Sequence, residues 1–379
     1  MKFTVQPSDL KAAWSAVKSV VPSKPAMPVL ENVLLRPYGE SAVTLTASDT
    51  DNVITVRMAV EDAEGLVPFL VPANRLADYI SNAMSSDWPL MVETDADEII
   101  LSDGFGDFRF FGSSDVKEYP VTPQIKVEEG LSLQMDTARV VEAASAAVRF
   151  TGKDELRPVM SGVCFDFRSD GLRIAASDSK VLFCDVLREI VSEREAVVII
   201  NANIINAFVS HCSLSAPVRI SFDSRQVSFV QDGVEIQGRL IEGKFPRYES
   251  VIPKNNDRVA VINRQALAAA IKRVSISANK STNQIKMRFN GGSSLTLEAS
   301  DIDYSLQSKM TINTEKQENF PGELLLGVRA AFFLSVLGTF GKDVAEITML
   351  LGDPNRAMLV KSDIDSERVA LIMPMQLVD

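Results

Sequence analysis

The chain has 379 residues, of which 46% are hydrophobic, and a formal net charge of −11 from 50 acidic and 39 basic side chains. This length predicts two or three domains, and the acidic balance excludes a protein that grips nucleic acid over its whole outer surface. No apolar run approaches the ~20 residues of a membrane span, so we expect a soluble cytoplasmic protein. The three cysteines are too scattered for a disulfide framework or a zinc site, and we expect no cofactor.

A five-residue motif ending in Ala-Ser-Asp recurs at three places about a third of the chain apart. The copies are residues 45–49, 174–178 and 297–301. Each follows, at a similar distance, a polar residue suited to cap the N-terminus of a helix. These caps are Ser8, Asp136 and Asn263. The sequence therefore predicts three similar domains, at residues 1–125, 126–254 and 255–379.

The first third opens with a strand at the N-terminus and a helix from Ser8 to about Val21. Leu10, Trp14 and Val17 have the spacing of one buried helical stripe. Alternating apolar and polar residues predict the strands that follow, at residues 29–36, 42–47, 52–60, 90–93 and 98–101. A second helix follows Pro72, and an aromatic segment at residues 105–111 closes the domain.

The second and third domains repeat this order of elements. In domain two, the helices are predicted from Asp136 and at 202–211, and the strands at 131–135, 162–167, 171–176, 182–187, 218–222, 226–230 and 235–240. In domain three, the helices are predicted from Asn263 and at about 329–337, and the strands at 259–262, 284–289, 294–299, 304–310 and 368–373. Each third is β-α-β-β-β-α-β-β-β in outline, an α+β fold whose helices lie on one side of the sheets.

Basic side chains concentrate on the predicted helices and the turns beside them, although the protein is acidic. They are Lys11, Lys18, Lys24, Arg75, Arg139, Arg149, Lys153, Arg157, Lys272, Arg273 and Arg329. A charge stripe on a helix is usually only a solvated face. On these residues alone, the solvated face is the simpler interpretation.

Over its full length the chain resembles the bacterial sliding clamps, the beta subunits of DNA polymerase III. The matching stretches are Met-Lys-Phe-Thr-Val at 1–5, Ser177-Asp178 followed by a basic residue and Leu182, Gly-Lys-Phe-Pro-Arg-Tyr at 243–248, Val-Ile-Pro-Lys-Asn at 251–255, and Met-Pro-Met at 373–375 with Leu377. The Gly-Lys-Phe-Pro block and the Met-Pro-Met ending are the most specific of these. Their common order and spacing make a coincidence implausible.

The resemblance implies three repeated clamp domains of the DNA clamp fold, with helices lining a central hole and sheets outside. Two chains join head to tail as a homodimer, and the ring encircles duplex DNA without reading its sequence. At the joint between the chains it implies contacts from Phe108, Phe111 and Ile276. In this interpretation the basic helical residues face DNA. The protein itself is not an enzyme.

The resemblance also implies a hydrophobic pocket that takes short motifs from the replicative polymerase and from an ATP-driven clamp loader. The positions that match its lining are Met160, Ser177, Lys180, Leu182, Pro246, Val251, Ile372, Met373, Pro374 and Met375. Methionine suits such a site because its flexible, polarizable side chain adapts to several partners.

Three other interpretations stay open at the level of sequence. Asp49, Asp178 and Asp301, with Asp51 and Asp303, could serve a metal-dependent phosphodiesterase, although an aspartate at a strand end often makes a turn. A ring could bind peptides without binding DNA. His211 and Cys212 could form a nucleophile pair, but adjacent residues on a helix point about 100° apart.

Overall fold

The computed structural model describes residues 1–85, 88–120, 125–126, 130–154, 156–364 and 367–377. In these residues the α-helices are α1 (Pro7–Val17), α2 (Ala73–Asn82), α3 (Thr137–Ala147), α4 (Ala202–His211), α5 (Arg264–Val274) and α6 (Ala330–Leu337). None of these helices has the length and hydrophobicity needed to cross a bilayer.

The strands fall into the three predicted repeats. Repeat one has β1 (Lys2–Val5), β2 (Asn32–Pro37), β3 (Ala42–Ser48), β4 (Asn52–Ala59), β5 (Glu61–Glu64), β6 (Phe69–Pro72), β7 (Leu90–Asp95), β8 (Glu98–Ser102) and β9 (Asp107–Phe111). Repeat two has β10 (Leu131–Met135), β11 (Gly162–Arg168), β12 (Gly171–Ser177), β13 (Val181–Leu187), β14 (Ala196–Asn201), β15 (Val218–Phe222), β16 (Gln226–Gln231) and β17 (Val234–Arg239). Repeat three has β18 (Arg258–Asn263), β19 (Gln284–Phe289), β20 (Ser294–Asp301), β21 (Leu306–Asn313), β22 (Lys316–Glu318), β23 (Leu324–Arg329), β24 (Glu346–Leu351), β25 (Met358–Lys361) and β26 (Val369–Ile372).

By its internal contacts the chain divides into two compact units. The first comprises Met1–Val141 with Asn203–Leu240, and the second comprises Glu142–Ala202 with Ile241–Asp379. Within the described residues, the first unit holds a sheet of order β5-β1-β7-β8-β9 and one of order β10-β15-β16-β17-β4-β3-β2-β6. The second unit holds a sheet of order β14-β11-β12-β13-β26-β25-β24-β18-β22 and one of order β21-β20-β19-β23.

The boundary between the two units passes through repeat two, because its two half-sheets pair with different neighbouring repeats. The half-sheet ending in β17 pairs with β4 of repeat one, where Ile236 lies opposite Ile54. The half-sheet ending in β13 pairs with β26 of repeat three, where Phe183 lies opposite Ala370. Each antiparallel joint continues a sheet across a repeat boundary.

Two of the three predicted helix caps are confirmed. The Asp136 carboxylate accepts a hydrogen bond from the Arg139 N–H at 3.0 Å, and the Asn263 side chain accepts one from the Ala266 N–H at 2.9 Å. The prediction for Ser8 is wrong, because α1 begins at Pro7. Proline lacks an N–H and has its φ preset for a helix, so it starts α1 without a side-chain cap.

Helix α1 and strand β2 also differ from their predicted bounds. The helix ends at Val17 and continues only as a 3-10 turn over Lys18–Val20. The strand predicted from residue 29 begins at Asn32, because Pro28–Glu31 form another 3-10 turn.

Several strands were not predicted. These are β5, β6, β22, β23, β24 and β25. The short edge strands β5 and β22 are largely exposed and lack the apolar alternation that signals a half-buried strand. The predicted core stripe of α1 is confirmed, since Leu10, Ala13, Trp14 and Val17 are all buried.

Candidate partner-peptide site and basic helix surface

The turn between β12 and β13 is built by two short side chains. The Asp178 carboxylate accepts hydrogen bonds from the N–H groups of Lys180 (2.8 Å) and Val181 (2.9 Å). The Ser177 hydroxyl donates to the Val181 carbonyl at 2.7 Å, and Ser179 at the tip takes a positive φ of 76°. Asn and Asp side chains stabilise turns in this way. The result is a fixed turn that presents Lys180 to solvent.

The Met-Pro-Met segment is fastened beside this turn at two points. The Met373 N–H donates to the Lys180 carbonyl at 2.8 Å, and the Met375 N–H donates to the Gly327 carbonyl at 2.8 Å. A side chain at Gly327 would put its Cβ 2.7 Å from the Met375 carbonyl oxygen, so the close approach requires glycine. Met373 is left 42% exposed between the two anchors.

Two residues of the predicted pocket belong to the core. Leu182 is buried in a cluster with Phe245 and Tyr248, and Ile372 is fully buried. They form structure beneath the surface, so the accessible side chains of the predicted set come from elsewhere. Lys180, Pro246, Val251 and Met373 are exposed, and Met160, Ser177, Pro374 and Met375 are half-buried.

Three chain segments of the predicted site meet the Leu182 cluster. Val159 and Ile252 pack against the cluster, and Phe245 is a member of it. These residues adjoin Met160, Val251 and Pro246 in the chain, so the segments that carry those three predicted residues lie, within the second unit, at one apolar core cluster.

Sequence reasoning missed the anchor of the segment over residues 243–250. Burial raises the pKa of Tyr248, whose hydroxyl donates to the Asp166 carboxylate at 2.9 Å. Arg168 forms an ion pair with the same carboxylate and with Glu249 at 3.0 Å. A buried phenol and an ion-pair network thus hold the segment, and it borders a cavity of about 520 Å³. The aromatic residues of the Gly-Lys-Phe-Pro-Arg-Tyr block were its only signal in the sequence.

Most of the predicted basic surface is accessible. The exposed members are Lys11, Lys18, Lys24, Arg75, Arg149, Lys153, Arg157, Lys272 and Arg273. Arg157 also pairs with Asp154 at 2.8 Å. Arg139 and Arg329 are half-buried, and Arg329 is at the N-cap of α6 with its guanidinium 5.1 Å from the Phe332 ring. Arg139 and Arg329 are thus the two least accessible members of the set.

His211 and Cys212 do not form a nucleophile pair. Burial raises the pKa of the Cys212 thiol to about 12, so the thiol stays protonated near neutral pH. Burial, and then the positive charge of Lys18, lower the pKa of His211. The imidazole therefore lies within the field of one of the predicted DNA-facing lysines, in the first unit.

The repeated aspartates make turns. The Asp49 carboxylate accepts from the N–H groups of Asp51 and Asn52, as Asp178 does in repeat two, and Asp301 accepts from the Asp303 N–H. Their motifs end β3, β12 and β20, which belong to three different sheets. In the described residues no group of three or more potential ligands is placed to hold a metal ion.

Exposed apolar side chains mark two strand edges, one in each unit. Phe111 is 79% exposed and Phe108 is partly exposed on β9, an end strand of its sheet. Ile276 is 78% exposed in the 3-10 turn Ser275–Ser277, which follows α5. Leu306 is exposed on β21, the end strand of the four-stranded sheet.

Family models match nearly the whole chain. The DNA polymerase III beta subunit N-terminal domain matches residues 1–123, its central domain 134–247 and its C-terminal domain 249–376. The chain belongs to the DNA polymerase III beta subunit family. Its fold is the three-domain DNA clamp fold, and its function is that of a DNA sliding clamp.

The relatives of this clamp span it from end to end. The beta sliding clamps of Pseudomonas aeruginosa and Synechococcus elongatus are 24% and 25% identical, each with full coverage of both chains. Among solved structures, the DNA polymerase III beta subunit of Pseudomonas aeruginosa has a TM-score of 0.90 at 23% identity, and the sliding clamp of Bacillus subtilis 0.89 at 22%, again with both chains fully covered. The clamp fold is therefore kept where most side chains have changed.

Proposed function

We propose that two copies of this clamp close head to tail into a ring around duplex DNA and tether the replicative polymerase and other DNA-processing proteins. The ring contains three domains from each chain, at residues 1–125, 126–254 and 255–379. The protein is a non-catalytic subunit. Partners, among them an ATP-driven loader, reach it through short hydrophobic motifs that bind around Met373.

The observation that carries the ring is the repetition of joints inside the chain. β17, the last strand of repeat two, pairs with β4 of repeat one. In the same way β26, the last strand of repeat three, pairs with β13 of repeat two. By the same rule, β9, the last strand of repeat one, has no earlier repeat in its own chain to pair with. β21 of repeat three, which corresponds to β4 and β13, has no later repeat to pair with. Both are end strands of their sheets. Two chains that pair β9 with β21 satisfy both edges and leave no such edge open to aggregation.

The internal joints also give the register of this contact. When the three repeats are aligned, Phe108 on β9 corresponds to Ile236 on β17 and Ala370 on β26. Ser308 on β21 corresponds to Ile54 and Phe183, the residues that pair with Ile236 and Ala370. Phe108 then lies opposite Ser308 of the partner subunit. One step along, Asp107 lies opposite the partner's Lys309, which gives an ion pair across the contact.

The exposed apolar side chains support the same contact. Phe108 and Phe111 on β9, with Ile276 and Leu306 near β21, are apolar surface that a free chain leaves in water. Aromatic residues at the centre of an interface contribute much of its binding energy. The groove between α2 and β9, about 760 Å³ and lined by Tyr79 and Phe108, offers room for an apolar side chain from the partner.

Duplex DNA is the partner that fits the basic helix surface. The chain carries a net charge of −11, yet its helices and adjoining turns present nine exposed lysines and arginines of the predicted set. Phosphate contacts hold a duplex without reading its bases, and a weakly attractive wall lets it slide.

The ring is tested by retention on plasmid DNA. Labelled protein is loaded on a nicked circular plasmid with its loader and ATP, and the plasmid is then cut once with a restriction enzyme. We expect release upon linearisation, because a ring slides off an end. Retention on both forms would mean direct gripping and would overturn the proposal. A dimer that binds partner peptide but is never retained would instead favour a peptide-binding scaffold.

A further inference from the structure

Repeat three carries a hollow at the position where repeat two carries the predicted peptide site. The hollow measures about 280 Å³ and is lined in part by Thr282, Ser300, Ile302 and Asp303. Thr282 precedes β19 by two residues, as Met160 precedes β11. Ser300 is the serine of the repeated Ala-Ser-Asp motif, as Ser177 is in repeat two.

We propose that this hollow, the repeat-three site, is a second docking site for partner proteins, completed by the other subunit of the ring. The inference rests on the proposed head-to-tail ring. In repeat two, β13 pairs with β26, and the residue that follows β26 is Met373. With β21 paired to β9 in the same register, the equivalent of Met373 is the partner's Phe111. This phenylalanine is 79% exposed in the free chain, so it is available to form the missing wall.

The repeat-three site differs in chemistry from the repeat-two site. Counted from the aspartate of the repeated motif, Ile302, 80% exposed, takes the place of Ser179, and Asp303 takes the place of Lys180. The charge of the accessible turn is therefore reversed. The turn in repeat three is two residues longer, because Asp301 pairs with Leu306 across it. In the described residues no ion pair is made by the Asp303 side chain. Lys286 also lines the hollow.

The side chains around the repeat-three site determine which kind of peptide segment it binds. An apolar side chain would pack between Ile302 and the partner's Phe111, and an adjacent lysine or arginine would face Asp303. The occupant is thus an extended segment with an apolar residue followed by a basic one. A segment with an acidic residue in that place would meet like charge and be rejected.

The test uses the full chain and two fluorescein-labelled hexapeptides, one with two leucines followed by two lysines and one with two leucines followed by two aspartates. Fluorescence anisotropy should show tighter binding of the lysine peptide. The double variant Ile302→Ser with Asp303→Lys, which gives repeat three the residues of repeat two, should weaken that binding about tenfold, a loss of ~1.4 kcal/mol. The control variant Lys316→Ala, on the edge strand β22 and outside the lining of either site, should leave it unchanged.

Sedimentation of the same samples separates this inference from the ring. The variant Phe111→Ser should weaken binding of the lysine peptide, because it removes the wall of the site. Phe111 also belongs to the proposed intersubunit contact, so only samples that sediment as dimers are compared. A dimer that binds the lysine peptide no better than the aspartate peptide, or equally well in the Ile302/Asp303 variant, would overturn the repeat-three site alone. A wild-type chain that sediments as a monomer at micromolar concentration would overturn the ring, and the composite site with it.

Discussion

The pKa of the His211 imidazole is sensitive to the charge of Lys18, which belongs to the basic helix surface. His211 is the only histidine of the chain, and both burial and the charge of Lys18 lower its pKa. The folded protein therefore binds this proton less readily than the unfolded chain does. Stability that is fully present above pH ~6.5 is lost as the pH falls through the folded-state pKa.

We expect NMR titration of this one imidazole to give a pKa below that of a free histidine. Lys18→Gln should raise it by removing the neighbouring charge, whereas Lys316→Gln, on the edge strand β22 of the second unit, should not. Phosphates of encircled DNA should raise it as well. In urea unfolding, wild type should lose more stability than His211→Gln between pH 7.5 and 5.5. An equal loss in both would show that the histidine does not contribute.

Gly327 controls the position of the Met-Pro-Met segment. A methyl group there would meet the Met375 carbonyl oxygen at 2.7 Å and the Leu377 side chain at 2.9 Å. Gly327→Ala should therefore displace the segment and weaken binding of a polymerase-derived peptide about tenfold in anisotropy titrations. The control is Gly322→Ala, where the added carbon meets nothing within 4 Å. Unchanged affinity in Gly327→Ala would mean that the segment is not part of the peptide site.

At the scale of elements, the sequence predicted what periodicity and capping chemistry encode. Asp136 and Asn263 mark true helix starts because their side chains accept N–H groups of the first turn. Ser8 failed because the preceding proline already starts the helix. The edge strands β5 and β22 were missed because their residues are exposed and have no apolar period to detect.

The candidate site was predicted only in part, for a related reason. A resemblance in sequence predicts Met160, Pro246 and Met373 as lining residues, but it did not show that Leu182 belongs to the core. The hydrogen bond from Tyr248 to Asp166 spans sequence-distant elements, and no local pattern encodes such a pair.

The strand pairing between chains predicts a charge-swap experiment. Asp107→Lys or Lys309→Asp alone should raise the dissociation constant of the dimer about 2- to 30-fold, because like charges would face each other at two contacts per ring. Combining both substitutions should restore the dimer to within about threefold of wild type. Analytical ultracentrifugation over a dilution series measures this, with Lys316→Asp as the control. Additive losses in the double variant would mean that the register is wrong.

At the scale of the whole molecule, the charge distribution predicts how the ring meets DNA. Replacing Lys11, Lys18, Arg149 and Lys272 together with glutamate should reduce loading on nicked plasmid, because eight contacts per ring would turn repulsive. The dimer should persist, since none of the four lies on β9 or β21. The control reverses Lys2 on β1 and Lys316 on β22 instead, which are exposed and lie on neither β9 nor β21. Loading equal to wild type would show that these four residues do not contact DNA.

The end strands β9 and β21 differ from each other, and the proposed contact pairs one with the other. A contact between two different surfaces gives a closed ring only when the rotation from one copy to the next closes; otherwise copies add without end into a helical filament. Closure by two chains needs a rotation of half a circle. A substitution that changed this rotation would therefore change the number of copies in the ring, or open it into a polymer, while leaving every residue of the intersubunit contact intact.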